Sequence, residues 1–344
     1  MDQTEIIKKA VTASLALVEQ EREKAIISRR FGLSAPKETL EQIGESLNIT
    51  RERVRQLEKA ILIRLKISAS DNKIKELAAA EKLLIRHLTE SGRIARVQDL
   101  AQKLFQHEVN NNEKAYLNFL AEISPALILI NENDNYHNAI AIAEYYDAKS
   151  IQKKINELVS VIKEHKAPLS LEELDQKLDY EHPSYIAALG RISKKLASLN
   201  NLWGLTKWPS VNPKNIRDKI FVVLEENREP MHFSEIAKAI SDSKFKRKNV
   251  TTQAIHNELI KDDRFVLIGR GIYALESWGF KKGTVADIIT DVLKQAGEQG
   301  LEREEIVRAV LKERKVKATT ILLNLQNKKA FVRIDQNRYK YQAS

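Results

Sequence analysis

Residues 39–44 read TLEQIG and residues 50–58 read TRERVRQLE, and these two stretches decide the fold of the first part of the chain. Threonine is a favoured N-cap residue, and Thr39 is followed three positions later by Gln42, which is the spacing of a capping box. Thr50 is placed to cap the helix that follows it. Because the few residues between the two helices leave room only for a turn, the sequence predicts a helix-turn-helix.

The second helix has one apolar and one polar face. Residues at helical spacing lie on the same face, and the apolar face carries Val54, Leu57, Ile61 and Leu65. The polar face carries Arg51, Glu52, Arg55, Gln56 and Lys59. Arginine, glutamate and glutamine are suited to the edges of guanine, cytosine and adenine in a major groove, and the basic residues are suited to phosphates. This face is therefore a candidate DNA-reading surface.

Together with RRFGL at residues 29–33, these stretches resemble region four of bacterial housekeeping sigma factors, over about residues 20–66. In that family the second helix reads the upstream, minus-thirty-five promoter element. The resemblance implies base reading by Arg51, Glu52 and Gln56. It implies phosphate contacts by Thr39, Thr50 and Arg55. Arg53 and Lys59 are further candidates for phosphate contacts.

The resemblance also implies a polymerase contact. Region four of sigma factors docks on the flap of the polymerase β subunit, and the corresponding apolar positions are Phe31, Leu62 and Leu65. These positions are equally suited to a hydrophobic core. The family's promoter-melting region two has no counterpart before the matched stretch, so we expect this chain not to open promoters alone.

The rest of the chain is predicted to repeat one pattern four times, namely three short helices followed by a β-hairpin. Each hairpin run holds an aromatic residue, and these are Tyr136, Trp203, Tyr273 and Tyr339. Their near-constant separation indicates an internal repeat. Three helices and a hairpin are typical of a winged helix, a helix-turn-helix variant; the alternative is a helical protein with four unrelated hairpins. The expected fold is mainly α, with tandem winged-helix modules and small hairpin wings, and the predicted domains are 1–70, 71–149, 150–212, 213–280 and 281–344.

The third repeat resembles the HARE-type winged helix, through MHFSEIA at residues 231–237 and FVLIGRGIYAL at residues 265–275. In the second repeat, WGLTKW at residues 203–208 resembles the end of the delta subunit of Gram-positive RNA polymerase, a member of that family. The GRG turn fits a tight wing that exposes an arginine. Further candidate DNA contacts are Lys246, Arg247, Lys248, Thr252, Gln253, His256, Asn257, Arg270, Thr320, Asn324 and Lys328. The same residues also fit solvated helices and loops on protein-binding modules.

The charge balance favours a polyanionic partner. The chain carries 57 Lys and Arg against 47 Asp and Glu, a net charge of +10, which is typical of nucleic-acid-binding proteins and also of some merely basic ones. Segment 71–149 has 9 basic and 12 acidic residues, whereas 281–344 has 14 and 8. We therefore expect nonspecific DNA affinity in the last module and little in the second.

An enzyme is not expected. Cysteine is absent, so thiolate metal sites and disulfides are excluded. The histidines lack the short spacing of a zinc site, and no phosphate-binding loop or nucleophile elbow occurs. The apolar runs are too short for a membrane span, and no signal peptide is recognised. We expect a cytoplasmic protein with no catalytic residues, metal or cofactor.

The sequence thus predicts a sigma-like transcription factor that binds double-stranded promoter DNA and bacterial RNA polymerase. One alternative is a regulator that binds polymerase and competes with sigma factors at the β flap. Another is an architectural protein that coats duplex DNA without sequence preference. Neither alternative involves a membrane or a small-molecule substrate.

Overall fold

The computed structural model describes residues 2–178, 180, 182–243, 245, 249–327 and 329–342. This part of the chain is mostly helical, with small antiparallel three-stranded sheets, which confirms the predicted mainly α class. The chain divides into two compact units, Met1–Lys207 and Trp208–Ser344. The five predicted domains remain a prediction.

The first unit begins with four helices, whose bounds are α1 Gln3–Ala16, α2 Glu21–Phe31, α3 Leu40–Leu47 and α4 Arg51–Ser70. Both predicted N-cap residues cap their helices. Thr39 and Gln42 form the predicted capping box at the start of α3, and Thr50 caps α4. Between them, Asn48 takes a left-handed conformation with φ of 53°, which asparagine tolerates better than most residues. Helices α3 and α4 therefore form the predicted helix-turn-helix.

Two repeats follow in the same unit, each in the order helix, strand, helix, helix, strand, strand. The first repeat is formed by α5 Lys75–Glu90, β1 Ile94–Arg96, α6 Val97–Phe105, α7 Asn111–Ile123, β2 Leu127–Ile130 and β3 Ala139–Ile142. The second repeat is formed by α8 Ala148–His165, β4 Leu169–Ser170, α9 Leu171–Leu178, α10 Pro183–Ile192, β5 Leu196–Leu199 and β6 Leu202–Leu205.

The second unit contains two more repeats with the same order of elements. The third repeat is formed by α11 Ile216–Asn227, β7 Met231–His232, α12 Phe233–Asp242, α13 Thr252–Lys261, β8 Phe265–Gly269 and β9 Ile272–Leu275. The fourth repeat is formed by α14 Val285–Ala296, β10 Leu301–Glu302, α15 Arg303–Glu313, α16 Ala318–Asn327, β11 Phe331–Arg333 and β12 Arg338–Tyr341. In all four repeats the last strand lies in the middle of the sheet, between the other two.

The strand register corrects the aromatic period predicted for the first repeat. Trp203, Tyr273 and Tyr339 occupy equivalent positions, because each lies in a central strand opposite the first strand of its sheet. In the first repeat that position is Ala141. Tyr136 lies before β3 and forms an isolated β-bridge with Ser193 in the second repeat. The hairpin connection of the first repeat is longer than the others, so its aromatic residue is displaced from the strand.

The core of the first unit is continuous between the helix-turn-helix and the first repeat. A small cluster of Ile26, Ile43 and Val54 closes the helix-turn-helix itself. The larger cluster runs from α1, α2 and α4 into α5, α6 and α7. At its centre the rings of Phe31 and Phe119 meet edge to face, with centroids 5.3 Å apart, which is a favourable aromatic geometry. The helix-turn-helix is therefore packed directly onto the helices of the first repeat.

Candidate nucleic-acid interface

The first two turns of α4 present a polar face to solvent. Val54, Ile61 and Leu65 are buried on the opposite face, where they hold the helix against its neighbours. The five residues of the polar face are all exposed, and they are Arg51, Glu52, Arg55, Gln56 and Lys59. The helix can therefore present these side chains to a groove without leaving its place in the core.

Glu52 is the centre of a hydrogen-bonded group on this face. Its two carboxylate oxygens accept bonds from the Arg55 guanidinium at 2.8 and 2.7 Å, and the Gln56 amide donates to one of them at 3.3 Å. The bond from Arg55 is the main reason why the pKa of Glu52 falls to about 2, and the same bond raises the pKa of Arg55. Because a lowered pKa keeps a carboxyl ionised above that value, Glu52 is a pure hydrogen-bond acceptor throughout the physiological pH range. It is thus suited to accept from the amino group of cytosine.

The threonines predicted to contact phosphates already act as caps. The Thr39 hydroxyl accepts from the backbone amide of Gln42 at 3.2 Å and lies 3.1 Å from the Gln42 side-chain oxygen. The Thr50 hydroxyl accepts from the backbone amide of Arg53 at 3.2 Å. Both threonines are exposed, as is Arg53. Their first role in the free protein is to start the helices in the right places.

Two ion pairs on the other side of α4 join this helix to α2. The Arg30 guanidinium of α2 donates to both oxygens of Glu58 at 3.1 and 3.2 Å, and Arg64 pairs with Glu23. Paired and partly buried, these charges join α4 to α2 along its length. Sequence reasoning did not single out these pairs, because Glu58 and Glu23 lie 28 and 41 residues from their partners.

The predicted polymerase contacts lie mostly within the protein. Leu65 is 2% exposed and belongs to the core, so it offers little surface in this structure, and its contact with polymerase stays a prediction. Phe31 is half-buried against Phe119, and Leu62 is half-buried against the same core. All three side chains pack against the core shared with the first repeat, as the alternative interpretation of these positions expects.

In the third repeat, the candidate DNA contacts divide into exposed and packed residues. Thr252, Gln253 and Asn257 are exposed on α13, where the Gln253 amide donates to the Asn257 side chain at 3.0 Å. His256 is half-buried, with its ring 4.8 Å from that of Phe233 and 6.1 Å from that of Tyr273. The imidazole therefore packs in an aromatic cluster, and its contact with DNA stays a prediction.

The GRG turn of the third repeat is tight, as predicted. Arg270 is exposed at the tip of the β8–β9 hairpin. Gly271 follows it with φ of 71°, a left-handed conformation that glycine adopts without strain.

In the fourth repeat, Thr320 is exposed on α16. Asn324 is half-buried and its amide donates to the Thr320 carbonyl at 2.8 Å. Lys246, Arg247, Lys248 and Lys328 were also predicted to contact DNA, and they lie outside the described residues.

The described residues contain no group of three or more histidine, aspartate or glutamate side chains placed to hold a metal ion. No helix in this part of the chain combines the length and apolarity needed to cross a membrane.

Comparison with known proteins finds a family match for the segment that contains the exposed reading face. The helix-turn-helix of α3 and α4, with its polar reading face, lies inside residues 20–66, which match the family described as Sigma-70, region 4. The RNA polymerase sigma factor RpoD of Helicobacter pylori, in strains 26695 and J99, is 54% identical over 48 residues. That alignment covers 13% of this chain and 7% of each relative. Residues 20–66 are thus a Sigma-70 region 4 domain, within a chain that spans a small fraction of those relatives.

Proposed function

We propose that this chain is a DNA-binding transcription factor of the bacterial RNA polymerase machinery and that α4 reads an upstream, minus-thirty-five-type promoter element. One observation carries the proposal. Arg51, Glu52 and Gln56 are exposed together on the first two turns of α4, in a segment 54% identical to a sigma factor. The proposed role is recognition of a promoter element and not strand opening.

The chemistry of the three side chains supports base reading. A guanidinium donates two hydrogen bonds to guanine, a carboxamide pairs with adenine, and a carboxylate accepts from the amino group of cytosine. Arg55 holds the Glu52 carboxylate in one orientation before DNA arrives, which lowers the entropy lost on binding. Arg53 lies beside the reading face, and Lys59 lies on it one turn after Arg55. Both supply contacts to phosphates, which position the helix without selecting sequence.

We further propose that the four repeats are winged helices, of the HARE type in the third repeat and delta-like in the second. Their order of elements and their central last strand support this assignment. Linked to α4, such modules raise the effective concentration of the reading helix at DNA or polymerase. The proposed partners are double-stranded promoter DNA and the polymerase core, and the proposed location is the cytoplasm. The role requires no catalysis, metal or cofactor.

Gln56→Ala tests base reading. We expect the variant to lose about 1 to 3 kcal/mol of discrimination at one base pair of the element, because a two-bond contact to a base edge is removed. Binding to a scrambled duplex is expected to change little. The measurement is fluorescence anisotropy with the full chain, on the element and on each of its single-base variants.

Lys59→Ala is the matched control on the same helix. It removes a phosphate contact, so it should weaken binding to element and scrambled duplex alike and reduce the salt slope by about 1. If Gln56→Ala behaves as Lys59→Ala does, direct reading by α4 is refuted. Equal affinity of the unaltered chain for both duplexes would favour an architectural DNA-binding protein.

A further inference from the structure

The third and fourth repeats meet at a closely packed junction, which we define as residues 267–271 and 314–317. The backbone amide of Lys315 donates to the carbonyl of Ile268 at 2.9 Å. At the neighbouring position, a Cβ atom on Gly269 would lie 2.5 Å from the Lys315 carbonyl oxygen. The wing of the third repeat is thus in backbone contact with the segment that leads into α16 of the fourth.

A buried arginine holds this junction together. Arg314 is 4% exposed, and its guanidinium donates to the carbonyls of Leu267, Lys281 at 2.8 Å and Gly283 at 2.5 Å. These carbonyls belong to β8 and to the connection between the two repeats. Burial lowers the pKa of Arg314, yet an arginine in a protein remains charged. Two separate stretches of chain bind one cation, so the junction is fixed and is not a flexible linker.

The surface around the junction is basic. Arg270 lies at the tip of the wing, and Lys315 and Lys317 precede α16; all three are exposed. As far as the residues of this unit are described, none of the three forms an ion pair with a carboxylate. Thr319 and Thr320 are exposed at the start of α16, next to these cations. Cations that lack a protein partner remain available for an external anion.

We infer that the junction is a composite phosphate-binding surface for duplex DNA, with Arg270 supplied by the third repeat and Lys315 and Lys317 by the fourth. Because Arg314 fixes the backbone between them, the two repeats follow one stretch of DNA as a single body and do not bind as independently tethered modules. The sequence pattern assigns no role to Lys315 and Lys317, and it predicts Arg270 only as an isolated contact. This inference rests on the proposed function only in taking the chain to be bound to DNA.

The test is the salt dependence of binding of the full chain to a scrambled duplex. Each neutralised phosphate contributes about −0.9 to the slope of log affinity against log salt. Lys315→Ala/Lys317→Ala should therefore reduce the magnitude of this negative slope by about 2. Arg270→Ala should lower it by about 1. The matched control is Arg303→Ala/Arg308→Ala, which also removes two exposed cations of the fourth repeat, on α15, and should leave the slope unchanged.

Two results overturn the inference. One is an unchanged slope in Lys315→Ala/Lys317→Ala, and the other is an equal decrease in the Arg303→Ala/Arg308→Ala control. Since α4 selects bases, its contribution appears as preference for the promoter element over the scrambled duplex. If the chain keeps this preference but the slope does not depend on Lys315 and Lys317, only the phosphate-binding role of the junction is refuted. A chain that shows the slope effects without a preference refutes promoter reading alone.

Discussion

Phe119→Ala is expected to destabilise the first unit by about 4 kcal/mol, because removal of a fully buried phenylalanine leaves a cavity. Phe119 is 0% exposed and its ring packs edge to face on Phe31 of the region 4 domain. The loss should therefore reach α2 and α4, although Phe119 lies far outside residues 20–66. Hydrogen exchange of the full chain, followed by mass spectrometry, measures this as reduced protection of peptides from α4.

Ile63→Ala is the control for this variant. Ile63 is a large apolar residue on α4 itself, but it is 48% exposed, and exposed substitutions usually change stability by less than about 0.5 kcal/mol. Protection of α4 should then be nearly unaltered. A Phe119→Ala chain that loses protection in α7 and keeps it in α2 and α4 would contradict the shared core.

Arg314→Met is expected to destabilise the second unit by about 3 kcal/mol. Methionine fills much of the same volume but removes the donors to the carbonyls of Leu267, Lys281 and Gly283, and a hydrogen bond to a charged group contributes about 1 kcal/mol or more. Peptides from β8 and from the connection between the two repeats should lose protection in hydrogen exchange of the full chain.

A second variant separates charge from geometry at this position. Arg314→Lys keeps the cation, but a lysine ammonium lacks the planar fork that reaches several carbonyls at once. It should recover only part of the lost stability. Full recovery would show that charge alone holds the junction, and unchanged protection in Arg314→Met would show that the arginine is dispensable there.

Much of the local structure could be predicted because its signals lie close together in the sequence. Thr39 and Gln42 are three residues apart, and Thr50 directly precedes the helix that it caps. The exposed face of α4 follows from helical spacing alone. The four hairpins were also predicted, since each consists of two β-prone runs that are close in the chain.

The features that escaped prediction depend on contacts between distant residues. The first strand of each sheet has only two or three residues, as in β4 and β7, which is too short for an alternating pattern to show. Leu65 carries the same apolar signal whether it contacts polymerase or α7, so its burial became evident only in the folded chain. Arg314 reads as an ordinary surface cation in a basic segment, and only the packing of the junction shows that it is buried.

The most direct test of promoter reading is a genome-wide crosslinking map of this protein alongside the polymerase β subunit. We predict peaks just upstream of transcription starts that share a sequence motif. In an Arg51→Ala/Gln56→Ala variant, we predict that the sequences under the peaks share this motif less closely. Peaks that follow polymerase into gene bodies, or broad coverage without a motif, would contradict the account.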